Sequence, residues 1–181
     1  MPLTTHPLPF GMRDIKLKPI TGVSTLGTAV DLPVARTLSW SESEDFETLQ
    51  GDDSTVASVG AGPTCGWEME SGGLPFEAYK IMAGGTITET GTTPAQKKVY
   101  SKLTTDRRPY FQAEGQAISD SGGDVHAVLY RCKADGDLEA EFANGAFLLT
   151  NASGKGYGDE TTEDLYVFTH NETPVPLVIT P

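Results

Sequence analysis

Three histidines, two cysteines and a surplus of carboxylates are the residues of this chain whose types could do chemistry. Nucleophilic catalysis needs a serine or cysteine presented to a base, and the G-x-S-x-G elbow is absent from the sequence. His6, His126 and His170 fall in an extended arm, a central strand and a strand end, so they read as separate residues rather than a site. His126 in particular reads as a hydrogen-bonded core or interface residue. The phosphate cradle G-x-x-x-x-G-K-[ST] is missing, and Gly154-Lys-Gly-Tyr-Gly158 lacks a strand–turn–helix setting, so it reads as a hairpin tip. Asp135, Asp137, Glu139 and Glu141 alternate, which in an extended chain puts four carboxylates on one face. That arrangement could attract calcium, but the glycine-turned spacing of an EF-hand loop is missing, and a solvated acidic ribbon is the plainer reading. Cys65 and Cys132 are too few for a metal cluster or a disulfide framework. They read as small buried apolar groups in a reducing cytoplasm. The sequons Asn151-Ala-Ser153 and Asn171-Glu-Thr173 matter only in a secreted chain. The residues therefore predict no enzyme, no metal and no cofactor.

The elements that would position these residues are mostly strands. Met12–Lys18 alternates, and Leu32, Val34, Leu38 and Trp40 occupy even positions that Glu42 and Glu44 continue in acid. Leu49–Ser54 reads as a turn and Thr55–Val59 as a returning strand, so 34–60 predicts a long hairpin. In Thr64–Glu70, Trp67 and Met69 oppose Glu68 and Glu70. One helix is expected over about residues 74–83, with Pro75 in its first turn, Glu77 at its positive end and Gly84 as its stop. Its packing stripe is Leu74, Ala78, Ile81 and Met82. Residues 86–109 read as a long, threonine-rich, basic loop. Strands resume at Tyr110–Ser119, Val125–Lys133, Ala146–Asn151 and Asp164–His170, and Val125–Lys133 is apolar on both faces, the mark of a central strand. The fold class is mainly β: a sandwich or barrel of about eight strands with one flanking helix. Proline-bearing extended arms flank it at 1–10 and 171–181, leaving one domain over 11–170.

Composition narrows the function. Of 181 residues, 13 are basic and 25 acidic, for a formal charge of −12, so no broad surface exists to displace counterions from nucleic acid. No stretch approaches the roughly 18 to 20 apolar residues of a membrane span, and the N-terminus lacks the basic start and apolar run of a secretory signal. Hydrophobic residues make up only 38% of the chain, a thin core of the kind that contact with copies of itself completes. Charge is segregated: residues 37–79 carry acids and no base, whereas 97–108 carry Lys97, Lys98, Lys102, Arg107 and Arg108 with only Asp106. Two readings stand side by side. Acids keep a β-protein soluble and blunt its edges, or the basic segment docks on an acidic surface of another copy in head-to-tail fashion.

The order of several stretches resembles the major tail protein, or tail tube protein, of bacteriophages with long non-contractile tails. They are Val34-Ala-Arg-Thr-Leu-Ser-Trp-Ser-Glu-Ser-Glu44, Leu49-Gln-Gly-Asp-Asp53, Gly66-Trp-Glu-Met-Glu-Ser-Gly-Gly-Leu-Pro-Phe-Glu-Ala-Tyr79 with Met82-Ala-Gly84, Tyr110-Phe-Gln-Ala-Glu-Gly-Gln116 and Gly122-Gly-Asp-Val-His-Ala-Val-Leu-Tyr-Arg-Cys-Lys133. The resemblance runs from about residue 10 to 170, and the additional C-terminal immunoglobulin-like domain of some relatives is not expected. It implies a β-sandwich subunit that forms hexameric rings stacked into the tail tube of a virion, assembled in the cytoplasm of a host bacterium. The tube encloses a tape-measure protein, meets a tail terminator and distal tail or baseplate proteins at its ends, and passes DNA without binding it specifically. No membrane is involved. Under this resemblance Glu42, Glu44, Glu68 and Glu70 are expected to face the bore. Contacts between subunits or rings fall to Lys97, Lys98, Lys102, Arg107 and Arg108, and to Pro7, Pro9, Phe10, Val175 and Leu177 of the arms. The competing expectations are a monomeric β-sandwich binding or adhesion module, or another ring-forming tail protein such as a tail terminator.

Overall fold

The computed structural model describes residues 6–23, 25–52, 54–73, 75–145 and 149–177. In chain order its elements are β1 (Pro9–Gly22), β2 (Thr25–Leu26), β3 (Val30–Asp31), β4 (Ala35–Gly51), β5 (Ser54–Gly72), α1 (Phe76–Ala83), β6 (Thr86–Thr90) and β7 (Lys97–Ser101). They continue with β8 (Phe111–Ser119), β9 (Asp124–Lys133), β10 (Leu138–Ala140), β11 (Leu149–Gly156) and β12 (Tyr166–Asn171). The described residues are mainly β with one helix, as the alternating sequence predicts.

One antiparallel sheet runs β2-β1-β8-β9-β11-β5-β4, with β3 on β1, β12 on β9 and β10 on β11. Strand β9 is where it divides. Its residues Asp124–Leu129 pair with β12, while only Cys132 and Lys133 pair with β11. The short second pairing lets the β4-β5-β11 layer fold over the β1-β8-β9 layer, and the two inner faces meet as a sandwich. Ile15, Leu17, Phe111, Ala113 and Leu129 come from one layer; Leu38, Cys65, Trp67, Met69 and Ala152 come from the other. Trp67 and Phe111 meet edge to face across the core, their ring centres 5.5 Å apart.

The crossing point depends on glycine. A Cβ on Gly154 would stand 2.1 Å from the Lys133 carbonyl oxygen and 2.6 Å from Trp67. Gly154, Lys155 and Gly156 are thus not the hairpin tip that their spacing suggests. They lie inside β11, where two strands close on either side.

Helix α1 starts one residue after Pro75, whose extended conformation forms the cap, and ends at Gly84, whose φ of 79° favours glycine. Ala78, Ile81 and Met82 are buried against Ile15, Leu17 and Leu32. Leu74, assigned to the same stripe, lies outside the described residues.

The segment 86–109 is not a plain loop. Its first part is the hairpin β6–β7, paired from Thr86↔Ser101 to Thr90↔Lys97 and separate from the main sheet. Threonine and valine are good strand formers, and mostly exposed polar side chains on both faces hid the alternation. Tyr100 holds the hairpin to the helix, packing on Phe76 and Tyr79 and donating a 2.8 Å hydrogen bond to the Gly84 carbonyl.

Truncating the Phe111 ring leaves a cavity against Trp67. Phe111→Ala is expected to cost about 3–5 kcal/mol, measured as a lower urea midpoint at an unchanged slope. Thr88→Ala, on the exposed hairpin, is expected to stay within about 0.5 kcal/mol.

Candidate functional site

The β4–β5 ribbon is the feature that the body of the fold does not account for. Register pairs Trp40 with Trp67 and Glu42 with Cys65 at its base. There the ribbon is tied to the body: Trp40 packs on Phe168, 5.1 Å between ring centres, and the Tyr166 hydroxyl donates to Glu42 at 2.6 Å. That hydrogen bond to a carboxylate raises the pKa of Tyr166. Beyond the base, every residue from Ser41 to Gln50 is exposed, as are Ser54 to Val59 on the returning strand.

A bulge marks the change. Ser43 pairs with Thr64 but Asp45 with Ala61, so β5 carries one more residue than β4, at Gly62 and Pro63. Directly opposed residues share a face. Glu47 with Val59 and Leu49 with Ala57 therefore make one face of the distal ribbon, and Phe46 with Gly60 belongs to the other. Phe46 and Leu49 are each 63% exposed and Val59 69% exposed. Apolar side chains thus stand in water on both faces of a two-stranded projection.

Its edges are open as well. Strand β4 ends the sheet and has β5 as its one partner, while β11 covers β5 only from Cys65 to Gly72. The outer backbone groups of β4 and those of residues 54–64 of β5 have no strand beside them among the described residues.

The same register separates the four acids expected to act together. Glu68 pairs with Ser39 and Glu70 with Thr37, on the face opposite Trp67, whereas Glu42 pairs with Cys65 on the Trp67 face. Glu44 lies past it, beside Phe46, where a Cβ on Gly60 would collide with its carboxylate. Glu42 and Glu44 therefore do not share a wall with Glu68 and Glu70. What joins Glu68 and Glu70 is Asp137 and Glu139 from the β10 segment, and the four line a shallow groove of about 360 Å³ with Thr37, Ser39, Asn151 and Ser153. Arg36 is bonded to Glu70 at 2.8 Å, and the exposed Lys155 follows Ser153 on the same face. The alternation of Asp135–Glu141 was the signal for Asp137 and Glu139; its position beside β11, one strand away from β5, could not be read from it.

The basic residues are largely occupied within the chain. Lys98 pairs with Glu77 and, at 3.0 Å, with Glu89; the pairing lowers the pKa of Glu77 and raises that of Lys98. Lys102 donates to the Ala83 carbonyl at the end of α1, where a cation suits the helix dipole. Arg108 donates to the carbonyls of Ala134 and, at 2.6 Å, Gly136. Lys97 and Arg107 are exposed. The ion pairs of Lys98 and the bonds of Lys102 and Arg108 thus fasten the 86–109 segment to its own helix and sheet.

Both arms dock on the turn between β8 and β9. The Leu8 amide donates to Ser119 Oγ at 3.0 Å, the Asp120 amide to the Leu8 carbonyl at 2.8 Å, and the Ser121 hydroxyl to the His6 carbonyl. Pro7 is half-buried, Pro9 begins β1 opposite Ser119, and Phe10 is 82% exposed. On the other side, Asp124 is fully buried and accepts from Gln116 at 2.5 Å, Asn171 at 2.9 Å, the Val175 amide at 2.9 Å and His126 Nε2 at 3.0 Å. Since an ionised carboxylate only accepts, the His126 nitrogen facing it carries the proton. Burial alone would raise the Asp124 pKa; the four donors outweigh it and hold the group down at about 2. Val175 keeps its side chain half in water, whereas Leu177 is buried on its own subunit. Cys65 and Cys132 are buried thiols whose pKa values burial pushes up, so neither is a ready nucleophile. Among the described residues no helix is long and apolar enough to cross a membrane.

A depressed carboxylate pKa stabilises the fold above the unfolded value and stops doing so as pH falls through the folded one. Asp124→Asn is therefore expected to lower the melting temperature at neutral pH. Its deficit against the native chain should shrink between roughly pH 4 and the Asp124 value of about 2, as followed by circular dichroism melts. Deuterium exchange should rise at residues 172–177 in this variant before it rises in the core. Compared with known proteins, the chain matches no family model and no curated protein.

Proposed function

We propose that this chain is a self-assembling structural protein, a subunit that stacks as hexameric rings into the tail tube of a long-tailed phage virion. One observation carries the reading: the β4–β5 ribbon exposes Phe46, Leu49, Val56 and Val59 together with open strand edges. A two-stranded ribbon is marginal in water, and unpaired edges invite another chain. Identical neighbours supply the missing strands and apolar cover, and a repeated head-to-tail contact closes into a ring or continues along an axis. The sequence resemblance supplies the specific form: a tube around a tape-measure protein, ended by a tail terminator and by distal tail or baseplate proteins.

The acidic groove supports the choice of cargo. Glu68, Glu70, Asp137 and Glu139 lie on one sheet face. If that face lines the bore, it repels phosphate within a Debye length of about 8 Å at physiological salt, and DNA slides past without a binding minimum. The residues invoked for catalysis play no part in this reading; the protein acts as a scaffold and not as an enzyme.

Negative-stain microscopy of the concentrated chain tests the proposal. Tubes with a central hole are expected. Discrete rings that never stack would point to a ring-forming terminator instead, and solitary particles at every concentration and salt would point to a monomeric binding module. The double variant Leu49→Glu/Val59→Glu should keep the native circular dichroism spectrum and urea midpoint while losing all polymer in sedimentation. Polymer formation undiminished in that variant would remove the ribbon from the assembly contact.

A further inference from the structure

Strands β1 and β8 bury polar side chains on the face opposite their apolar one. Ile15, Leu17, Phe111 and Ala113 enter the core, while Lys16, Gln112, Glu114 and Gln116, all buried, occupy the other side with the nearly buried Lys18. Lys16 is held by two carboxylates of its own, Asp14 at 2.7 Å and Asp31 at 3.2 Å. Lys18 is held differently. Its Nζ lies 2.6 Å from Glu114 Oε1, and Gln112 Nε2 lies 2.7 Å from the same oxygen. Lys18 and Gln112 are directly opposed in the register of the two strands. An amine, a carboxamide and a carboxylate thus converge on one atom, with the Lys18 and Glu114 side chains 14% and 10% exposed.

We infer that Lys18 and Gln112 are joined by an intramolecular isopeptide bond, formed with Glu114 as the proton carrier. Glu114 takes one proton from the Lys18 ammonium, leaving a neutral amine. The Nζ lone pair attacks Gln112 Cδ, forming the new N–C bond and a tetrahedral centre. Glu114 passes its proton to Nε2, the Cδ–Nε2 bond breaks with its electrons leaving on nitrogen, and ammonia departs. The second Nζ proton returns to Glu114, which ends as a neutral acid beside a neutral amide. No oxidant, metal or other reactant is needed.

Two physical terms favour the step. Opposed strand positions that bring the amine and the carboxamide to the same carboxylate oxygen replace a bimolecular encounter with an intramolecular one, and a carboxylate shared by both nitrogens serves as base and then acid. The product also removes a buried ion pair, whose desolvation is costly. Gln112 lines a cavity of about 270 Å³ with Ile20, Leu26 and Tyr130, giving the ammonia a way out. The outcome is a covalent staple between the first long strand and the centre of the sheet.

Intact-mass spectrometry of the full chain, incubated at neutral pH, decides the matter. The expected mass falls short of the sequence mass by one ammonia, about 17 Da, and digestion yields a branched peptide joining the segments around Lys18 and Gln112. Lys18→Arg, which keeps the charge beside Glu114 but cannot form the bond, and Glu114→Gln, which removes the proton carrier, should both return the full sequence mass. A native chain at its full sequence mass overturns the inference, as does an ammonia loss mapped to any other position. Undiminished loss in Glu114→Gln overturns the role given to Glu114.

Discussion

Backbone amides and carbonyls must find partners, and along the outer edge of β4 and of residues 54–64 of β5 no strand among the described residues supplies them. Water can satisfy these groups, but the apolar side chains of Phe46, Leu49 and Val59 beside them gain nothing from it. The rest of the molecule is arranged so that this ribbon is held at its root and left bare at its tip. The Trp40–Phe168 stack and the Tyr166–Glu42 bond fix the root, and the Gly62–Pro63 bulge sets the tip off from the sandwich. A sheet that ends in such an element keeps an open edge, and the proposed assembly rests on that edge.

The body, by contrast, leaves few polar groups to neighbours. The basic side chains most available for intersubunit pairing largely close on their own helix and carbonyls, and the described parts of both arms lie on their own subunit. The division is between a closed sandwich and an open ribbon. Under the proposed assembly, attraction between copies would rest on strand edges and apolar cover more than on complementary charge, and the dense acids would keep unassembled copies apart.

Much of the architecture was legible from periodicity. Leu38 and Trp40, Trp67 and Met69, and the stripe Ala78, Ile81 and Met82 all bury the side that their spacing predicts, Trp40 only in part. What could not be read was register. Alternation places Glu42 on the face of Trp40 and Glu68 opposite Trp67, yet only the pairing of Trp40 with Trp67 shows that the two acids then face apart. The β6–β7 hairpin was hidden because exposed strands need no apolar alternation. Asp124 was silent for another reason. Its meaning comes largely from Asn171 and Val175, 47 and 51 residues away along the chain, which only the fold brings to its carboxylate.

The docking of residues 6–8 and 172–175 on one turn has a mechanical side. A pull on the first arm meets the His6–Ser121 and Leu8–Ser119 bonds, and a pull on the other meets buried Leu177 and then the Val175–Asp124 bond. Tension between the two ends therefore falls first on a short path at the rim, through a handful of hydrogen bonds, before it reaches the sandwich interior.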